Sequence, residues 1–240
     1  MSKLVIQSIS QAHQALGLPK PEHPLVSVTK AKDFNKVLDL EGVKVIAKYY
    51  QIIYKSKGCG TLQYGKNAYD YEEGTLIFTA PEQVMEYGDT FKYNDEDNEG
   101  WVLAFHPDLI RKSDLVSKIN TYSFFYYDIN EALHLSDKER GMIEDLLGKI
   151  INEYSQNLDR HSQHLIISNI QLLLDYCVRF YDRQFYTRTN INSDIISKFD
   201  RLLRKYYQSN KVQELGIPNV EYCGKELGIS PNYLSDLLKK

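Results

Sequence analysis

Cysteine is scarce in this sequence, with three residues in a chain of 240. Cys59, Cys177 and Cys223 lie far apart and form no Cys-x-x-Cys pair, so neither a disulfide framework nor a zinc cluster is expected. This usage suits a reducing compartment, and it predicts a cytoplasmic protein.

Long apolar runs are also missing. The first residues lack the apolar core of a signal peptide, and there is no run of about 18 apolar residues, so we expect no membrane association. The net charge of −3 excludes a chain that binds polyanions through its overall charge. Binding to nucleic acid would need a local patch or a shaped motif.

The usual motifs of enzymes are absent. The sequence contains no GxSxG, no P-loop and no Cys–His pair at a plausible spacing. Of the six histidines, only His161 and His164 are close together, and a hydrated helix end explains them better than a metal site. We therefore expect no enzymatic activity, no metal and no cofactor.

Short strand-like runs separated by turn residues fill the first part of the chain. They span residues 43–54, 61–64, 68–71, 75–79, 83–87 and 101–105, the last being the continuous apolar stretch WVLAF. Short strands at this spacing are typical of a small barrel or sandwich, in which alternate residues point inward.

Aromatic residues on these strands are candidates for a ligand pocket, because pockets combine apolar surface with a few polar groups. The alternative is that they simply fill the core, as side chains in small barrels normally do. His106 ends a strand and is either a polar pocket group or a turn residue. The pocket candidates are Tyr49, Tyr64, Tyr69, Phe78, Trp101 and His106.

The pattern becomes helical after about residue 113. Ser136 and Glu139 form a capping box, and the apolar helical face behind it is expected to run as far as Leu158. A second helix is predicted at 161–186, with Leu165 on its apolar face, and a third at 193–209. The first two form a helical hairpin, whose remaining apolar surface either packs within the chain or pairs with a second copy.

The C-terminal segment VEYCGKELGISPNYLSDLLKK has the features of a helix-turn-helix. Gly224 is small where two helices touch, and Gly228 can take the positive φ of the turn. Ser230 can cap the second helix, with Pro231 at its first position. The alternative is a pair of helices that merely pack together.

In a helix-turn-helix the second helix enters the major groove of DNA. Asn232 can pair with adenine, Ser235 can bond several bases, and Asp236 can accept from cytosine, while lysines meet phosphates. The candidate DNA-binding residues are Pro231, Asn232, Tyr233, Ser235, Asp236, Lys239 and Lys240.

Five blocks of the sequence, in the same order, resemble AraC-family transcriptional regulators, especially the forms common in Bacteroides-like bacteria. The blocks are YDYEEGTLIFTAPEQV (69–84), WVLAFHPDLI (101–110), EALHLSDKE (131–139), RFYDRQFYTR (179–188) and GIPNVEYCGKELGISPNYLSDLLKK (216–240). The resemblance implies an α+β protein with three parts. These are a cupin-like β-barrel sensor domain (1–115), a helical dimerisation region (116–190) and a partial DNA-binding domain (191–240).

The resemblance also implies a function. The family continues through a linker helix into a second helix-turn-helix, so we expect a chain truncated after the first. The implied protein is a sequence-specific DNA-binding transcriptional regulator, a homodimer on double-stranded DNA that responds to a small-molecule effector in the barrel. The alternatives are a sensor or dimerisation fragment with little DNA binding of its own, or a cupin-type enzyme.

Overall fold

The computed structural model describes residues 3–34, 43–55, 62–64, 67–69, 74–86, 100–128, 131–187 and 189–239. Within these residues the chain is mixed α+β. The strands are β1 (Lys3–Ile6), β2 (Val26–Lys30), β3 (Lys44–Ala47), β4 (Tyr50–Lys55), β5 (Leu62–Tyr64), β6 (Asn67–Tyr69), β7 (Thr75–Thr79), β8 (Val84–Glu86), β9 (Trp101–Phe105) and β10 (Leu133–His134). The helices are α1 (Ile9–Leu16), α2 (Pro107–Ile110), α3 (Leu115–Lys118), α4 (Asp137–Ser155), α5 (Ser162–Thr187), α6 (Thr189–Tyr207), α7 (Lys211–Leu215), α8 (Val220–Leu227) and α9 (Pro231–Leu238).

The strands form two main sheets. An antiparallel sheet has the order β10-β7-β4-β9-β2, and a second sheet has the order β1-β3-β8, with β1 parallel to β3. Among the described strands, β5 and β6 pair with each other and with no other strand. The predicted barrel needs correction, because β10 and β2 are the free edges of the five-stranded sheet and none of the strands described above joins them.

The five-stranded sheet has two different faces, because successive side chains of a strand point to opposite sides. On one face, Ile52 is paired with both Phe78 and Leu103, and this face packs into the main core with residues of α4 and α5. On the other face, Ile53 lies between Ile77 and Val102. This second face lines a cavity together with α1 and the three-stranded sheet.

The helical hairpin begins as predicted. The Glu139 amide donates to Ser136 Oγ at 3.3 Å, and the Ser136 amide donates to Glu139 Oε2 at 2.9 Å, which confirms the capping box. Two residues of the predicted apolar faces are exposed instead. Leu158 lies beyond the end of α4 and is 51% exposed; Leu165 is 43% exposed, because the inward stripe of α5 begins at its neighbour Ile166.

The main core takes described residues from Val26 to Leu237. It contains residues from the sheet and the helical hairpin, and it also includes Tyr233 and Leu237 of α9. It therefore joins all three of the predicted segments. Of the helices in the described ranges, none is both long and apolar enough to cross a membrane.

Candidate functional site

The local geometry of α8 and α9 matches the sequence pattern. Gly228 ends α8 with φ at 71°, and the Ser230 side chain accepts from the Tyr233 amide at 3.1 Å, with Pro231 in the first turn of α9. A Cβ atom on Gly224 would stand 2.8 Å from the carbonyl oxygen of Ile229. Glycine is therefore required where the two helices meet, and the turn and cap take the predicted conformations.

The candidate DNA-binding residues are divided between two sides of α9. Asn232 and Lys239 are exposed, and Pro231 and Ser235 are partly exposed. Lys240 lies outside the described residues. Tyr233 and Asp236 are instead engaged by an earlier part of the chain.

Tyr233 is buried, with 5% of its surface exposed. Its ring contacts those of Tyr127 and Phe185, at centroid distances of 5.3 and 5.1 Å. Tyr233 therefore cannot meet a base in this conformation, which corrects its predicted role. Its partners are about fifty and a hundred residues away in the sequence, beyond the reach of a local helical pattern.

Asp236 is held by three side chains. Its carboxylate accepts from the Tyr127 hydroxyl at 2.8 Å and from Lys239 Nζ at 3.0 Å. Burial alone would raise the pKa of Asp236, but hydrogen bonds from Ser123, Lys239 and Tyr127 lower it below its ordinary value. Burial raises the pKa of Tyr127, so its hydroxyl stays protonated and is the donor in this pair.

Glu131 accepts hydrogen bonds from Ser230, the N-cap residue of α9. The Ser230 amide donates to Glu131 Oε1 at 2.6 Å, and the Ser230 hydroxyl donates to Oε2, which also accepts from the Asp128 amide at 2.7 Å. Glu131 is buried, with 5% of its surface exposed. Burial raises the pKa of Glu131 to about 7, although its hydrogen bonds to Ser230 and Asp128 act in the opposite direction.

A second candidate site is a cavity of about 90 Å³ beneath α1. Most of its lining is apolar, from α1, both sheets and Phe34. Its polar lining groups are few. They are His13, Ser27, Thr29, Tyr49 and Gln51.

His13 is fixed at the wall of this cavity. Its Nδ1 lies 2.6 Å from the Pro19 carbonyl oxygen, and its Nε2 lies 2.8 Å from Ser27 Oγ. Because a carbonyl oxygen only accepts, a neutral His13 carries its proton on Nδ1 and accepts from Ser27 at Nε2. A cleft of about 570 Å³ adjoins the cavity at His13 and Ser27, and its lining includes Lys20, Glu22 and Lys32.

The predicted pocket residues do not come together. Tyr49 lines the cavity, whereas Phe78 and Trp101 lie on the opposite face of the sheet, where Phe78 contacts Phe124 and Trp101 stacks on Tyr54. The alternation of side chains along each strand predicted which residues share a face of the sheet. It did not predict which face packs against the helices. His106 caps α2 by accepting from the Asp108 amide, so it is a turn residue. The side chains of Tyr64 and Tyr69 lie outside the described residues.

Sequence reasoning missed His13, Ser27, Tyr127 and Glu131. A signal for α1 is present, since Ser8 caps it and Gly17 ends it with positive φ. Tyr127 and Glu131 gave no local signal, because their partners are distant in the sequence.

Within the described ranges, no group of three or more His, Cys, Asp or Glu residues is arranged to hold a metal ion. Comparison of the chain with models of known protein families and with curated proteins found no match.

Proposed function

We propose that this protein is a DNA-binding transcriptional regulator of the AraC type, acting in the cytoplasm as a homodimer and controlled by a small effector. The observation that carries the proposal is the α8–α9 pair. Its glycine-dependent contact and capped second helix are the local requirements of a helix-turn-helix. Asn232, Ser235 and Lys239 then provide an exposed or partly exposed polar side of the second helix.

The charges around this pair suit a phosphate backbone. Lys225 and Lys239 are exposed on α8 and after α9, and Arg201 and Lys205 are exposed on α6, which contacts α8. Basic side chains beside a reading helix position it on the duplex, while polar groups on the helix discriminate between bases. Asn232 is assigned the base contact because its amide can form two hydrogen bonds with adenine.

The cavity beneath α1 favours a particular class of effector. Its volume of about 90 Å³ is smaller than the roughly 150 Å³ of an engineered apolar cavity that binds benzene. A compact, uncharged and largely apolar molecule fits such a space. Ser27 and Gln51 supply hydrogen bonds for one or two polar groups on that molecule, whereas both ring nitrogens of His13 are engaged by Pro19 and Ser27.

The proposed homodimer uses the exposed side of α5. Leu165, Leu172 and Tyr186 are exposed there, and intervals of seven and fourteen residues keep them on one side of the helix. Leu172→Glu is expected to convert a dimer to a monomer in sedimentation. Leu158→Glu is the matched control, because Leu158 is at least as exposed as Leu172 but lies in the link after α4.

Selection from a randomised DNA duplex tests the proposed function. The protein is expected to enrich a defined sequence at moderate salt, and Asn232→Ala is expected to weaken binding to it by about tenfold or more. Asn157→Ala is the control, because Asn157 is exposed in the link between α4 and α5. Equal binding to enriched and scrambled duplexes would reject sequence-specific recognition.

A second candidate function, a sensor with little DNA binding of its own, is favoured by the burial of Tyr233 against Tyr127 and Phe185. Such a protein would bind the effector but enrich no DNA sequence, even after α9 is freed from these contacts.

A further inference from the structure

One side of α9 is docked on the part of the protein that contains the five-stranded sheet, α4 and α5, here called the body. The contacts come from Tyr127, from Glu131 and from α5, and they involve the N-cap residue, the buried side and the Asp236 carboxylate of α9. The residues of this docked surface, here called the latch, are Tyr127, Glu131 and Phe185 on the body and Ser230, Tyr233 and Asp236 on the helix.

The latch conflicts with binding in the major groove. The groove is about 12 Å wide. A helix with its side chains has a diameter of about 10–12 Å, so a reading helix fills the groove. The phosphate backbones then run along both of its sides. α9 is covered by α8 on one side and by the latch on another, and the body would meet a phosphate backbone there.

We propose that the latch keeps this protein in a closed state with weak DNA binding, and that opening of the latch exposes α9 to DNA. This inference rests on the proposed function of α8 and α9. Asp236 is thereby assigned to holding the closed state rather than to reading a base. An ionised carboxylate beside phosphates would oppose binding, whereas beside Tyr127 it stabilises the docked helix.

The expected change in DNA affinity follows from the fraction of molecules in the open state. The apparent dissociation constant is the intrinsic one divided by the fraction of molecules that are competent to bind. Loss of a hydrogen bond to a carboxylate is expected to shift such an equilibrium by about tenfold. If the closed state predominates, one lost contact therefore tightens DNA binding by a similar factor.

Tyr127→Phe in the full chain is the main test. It removes the hydroxyl that bonds Asp236 and retains the ring that contacts Tyr233. Tyr126→Phe is the matched control, because Tyr126 is the neighbouring residue and its side chain is exposed. Binding is measured to a duplex enriched from the randomised pool by wild type or by Tyr127→Phe. We expect about tenfold tighter binding for Tyr127→Phe and no change for Tyr126→Phe.

A second variant, studied by amide exchange without DNA, tests whether the closed state is populated. It does not depend on a binding assay that a folding defect could disturb. Glu131→Ala removes the acceptor of the Ser230 amide, so exchange of that amide with solvent should accelerate. Far-UV circular dichroism verifies that the variant remains folded. Fast exchange in wild type, equal to that in Glu131→Ala, would show that the closed state is not populated and would overturn the inference.

The failures of the two proposals are distinguishable. If wild type and Tyr127→Phe bind the enriched duplex equally while exchange shows that α9 is released in the variant, the latch does not control binding and the regulator stands. If no sequence is enriched even by the variants whose α9 is released, DNA recognition itself is rejected.

Discussion

The Ser230 amide donates a hydrogen bond of 2.6 Å to the carboxylate of Glu131, which lies ninety-nine residues earlier in the chain. Ser230 also caps α9 through the Tyr233 amide, so the same residue begins the helix and attaches it to the body. The start of the proposed reading helix is therefore connected to the region that carries the sheet and the cavity. This connection gives the body a physical means of controlling DNA binding.

The pKa of Glu131 predicts that docking depends on pH. Its ordinary value is 4.5, and burial in the docked state raises the pKa to about 7. The contribution of this group to docking is fully present below about pH 4.5, declines as the pH rises, and is lost above about pH 7. The full shift corresponds to about 3 kcal/mol, which is the upper limit of what this group contributes to docking.

Protection of the Ser230 amide, corrected for the intrinsic exchange rate, measures this dependence. Three groups face Glu131. The charge of Asp128 raises the pKa of Glu131, and the charge of Glu131 raises the pKa values of Tyr127 and Tyr181. Protection should fall between about pH 4.5 and about pH 7 in wild type and stay constant in Glu131→Gln. The same decline in Glu131→Gln would assign the dependence to another group.

Replacement of Asp236 distinguishes a base contact from a latch. If Asp236 accepts from cytosine, Asp236→Asn weakens binding to the preferred duplex. If Asp236 holds the closed state, Asp236→Asn tightens it. Glu226→Gln, an exposed change on α8, controls for the loss of one negative charge, and the gain for Asp236→Asn should exceed that control by about tenfold.

Gly224 predicts a specific cost at the contact between α8 and α9. An added Cβ atom would stand 2.8 Å from a backbone oxygen, so Gly224→Ala should destabilise the protein by about 1–3 kcal/mol. Gly148→Ala is the matched control, because Gly148 lies within α4 and its added methyl group meets no atom within 4 Å. That change should stabilise the protein by up to about 1 kcal/mol. Thermal melts measure both, and equal melting temperatures would contradict the tight crossing.

The cavity predicts different costs for enlarging two buried alanines. Ala104 lines the cavity, so Ala104→Leu should be tolerated with a cost below about 1 kcal/mol. Ala132 packs among Ile53, Ile77 and Met85, and Ala132→Leu should cost about 1–3 kcal/mol. Xenon, used as a small apolar probe, should raise the melting temperature of wild type and not that of Ala104→Leu. A shift with xenon that persists in Ala104→Leu would locate the binding elsewhere.

Local features of the fold were predictable from the sequence. The caps at Ser136 and Ser230, the positive φ of Gly228 and the strand at 101–105 all depend on residues close together in the chain. The predicted run at 43–54 became two strands, β3 and β4, in different sheets, because a break at residues 48–49 separates them. The apolar pattern alone gave no sign of that break.

Long-range relationships were not predictable. The pattern of α9 marks Tyr233 as outward, yet the rings of Tyr127 and Phe185 bury it. Phe78 and Trp101 were predicted to line a pocket, but α4 and α5 cover that face of the sheet. Both differences arise because side-chain periodicity defines a face and not the element that packs against it.

The most direct test of the central claim is the affinity of Tyr127→Phe for the enriched duplex relative to a scrambled duplex, with and without Asn232→Ala. The account predicts that Tyr127→Phe prefers the enriched duplex, binds it about tenfold more tightly than wild type does, and loses the preference when Asn232 is replaced. Equal affinity for enriched and scrambled duplexes in every variant would contradict the assignment of α9 as a DNA-reading helix.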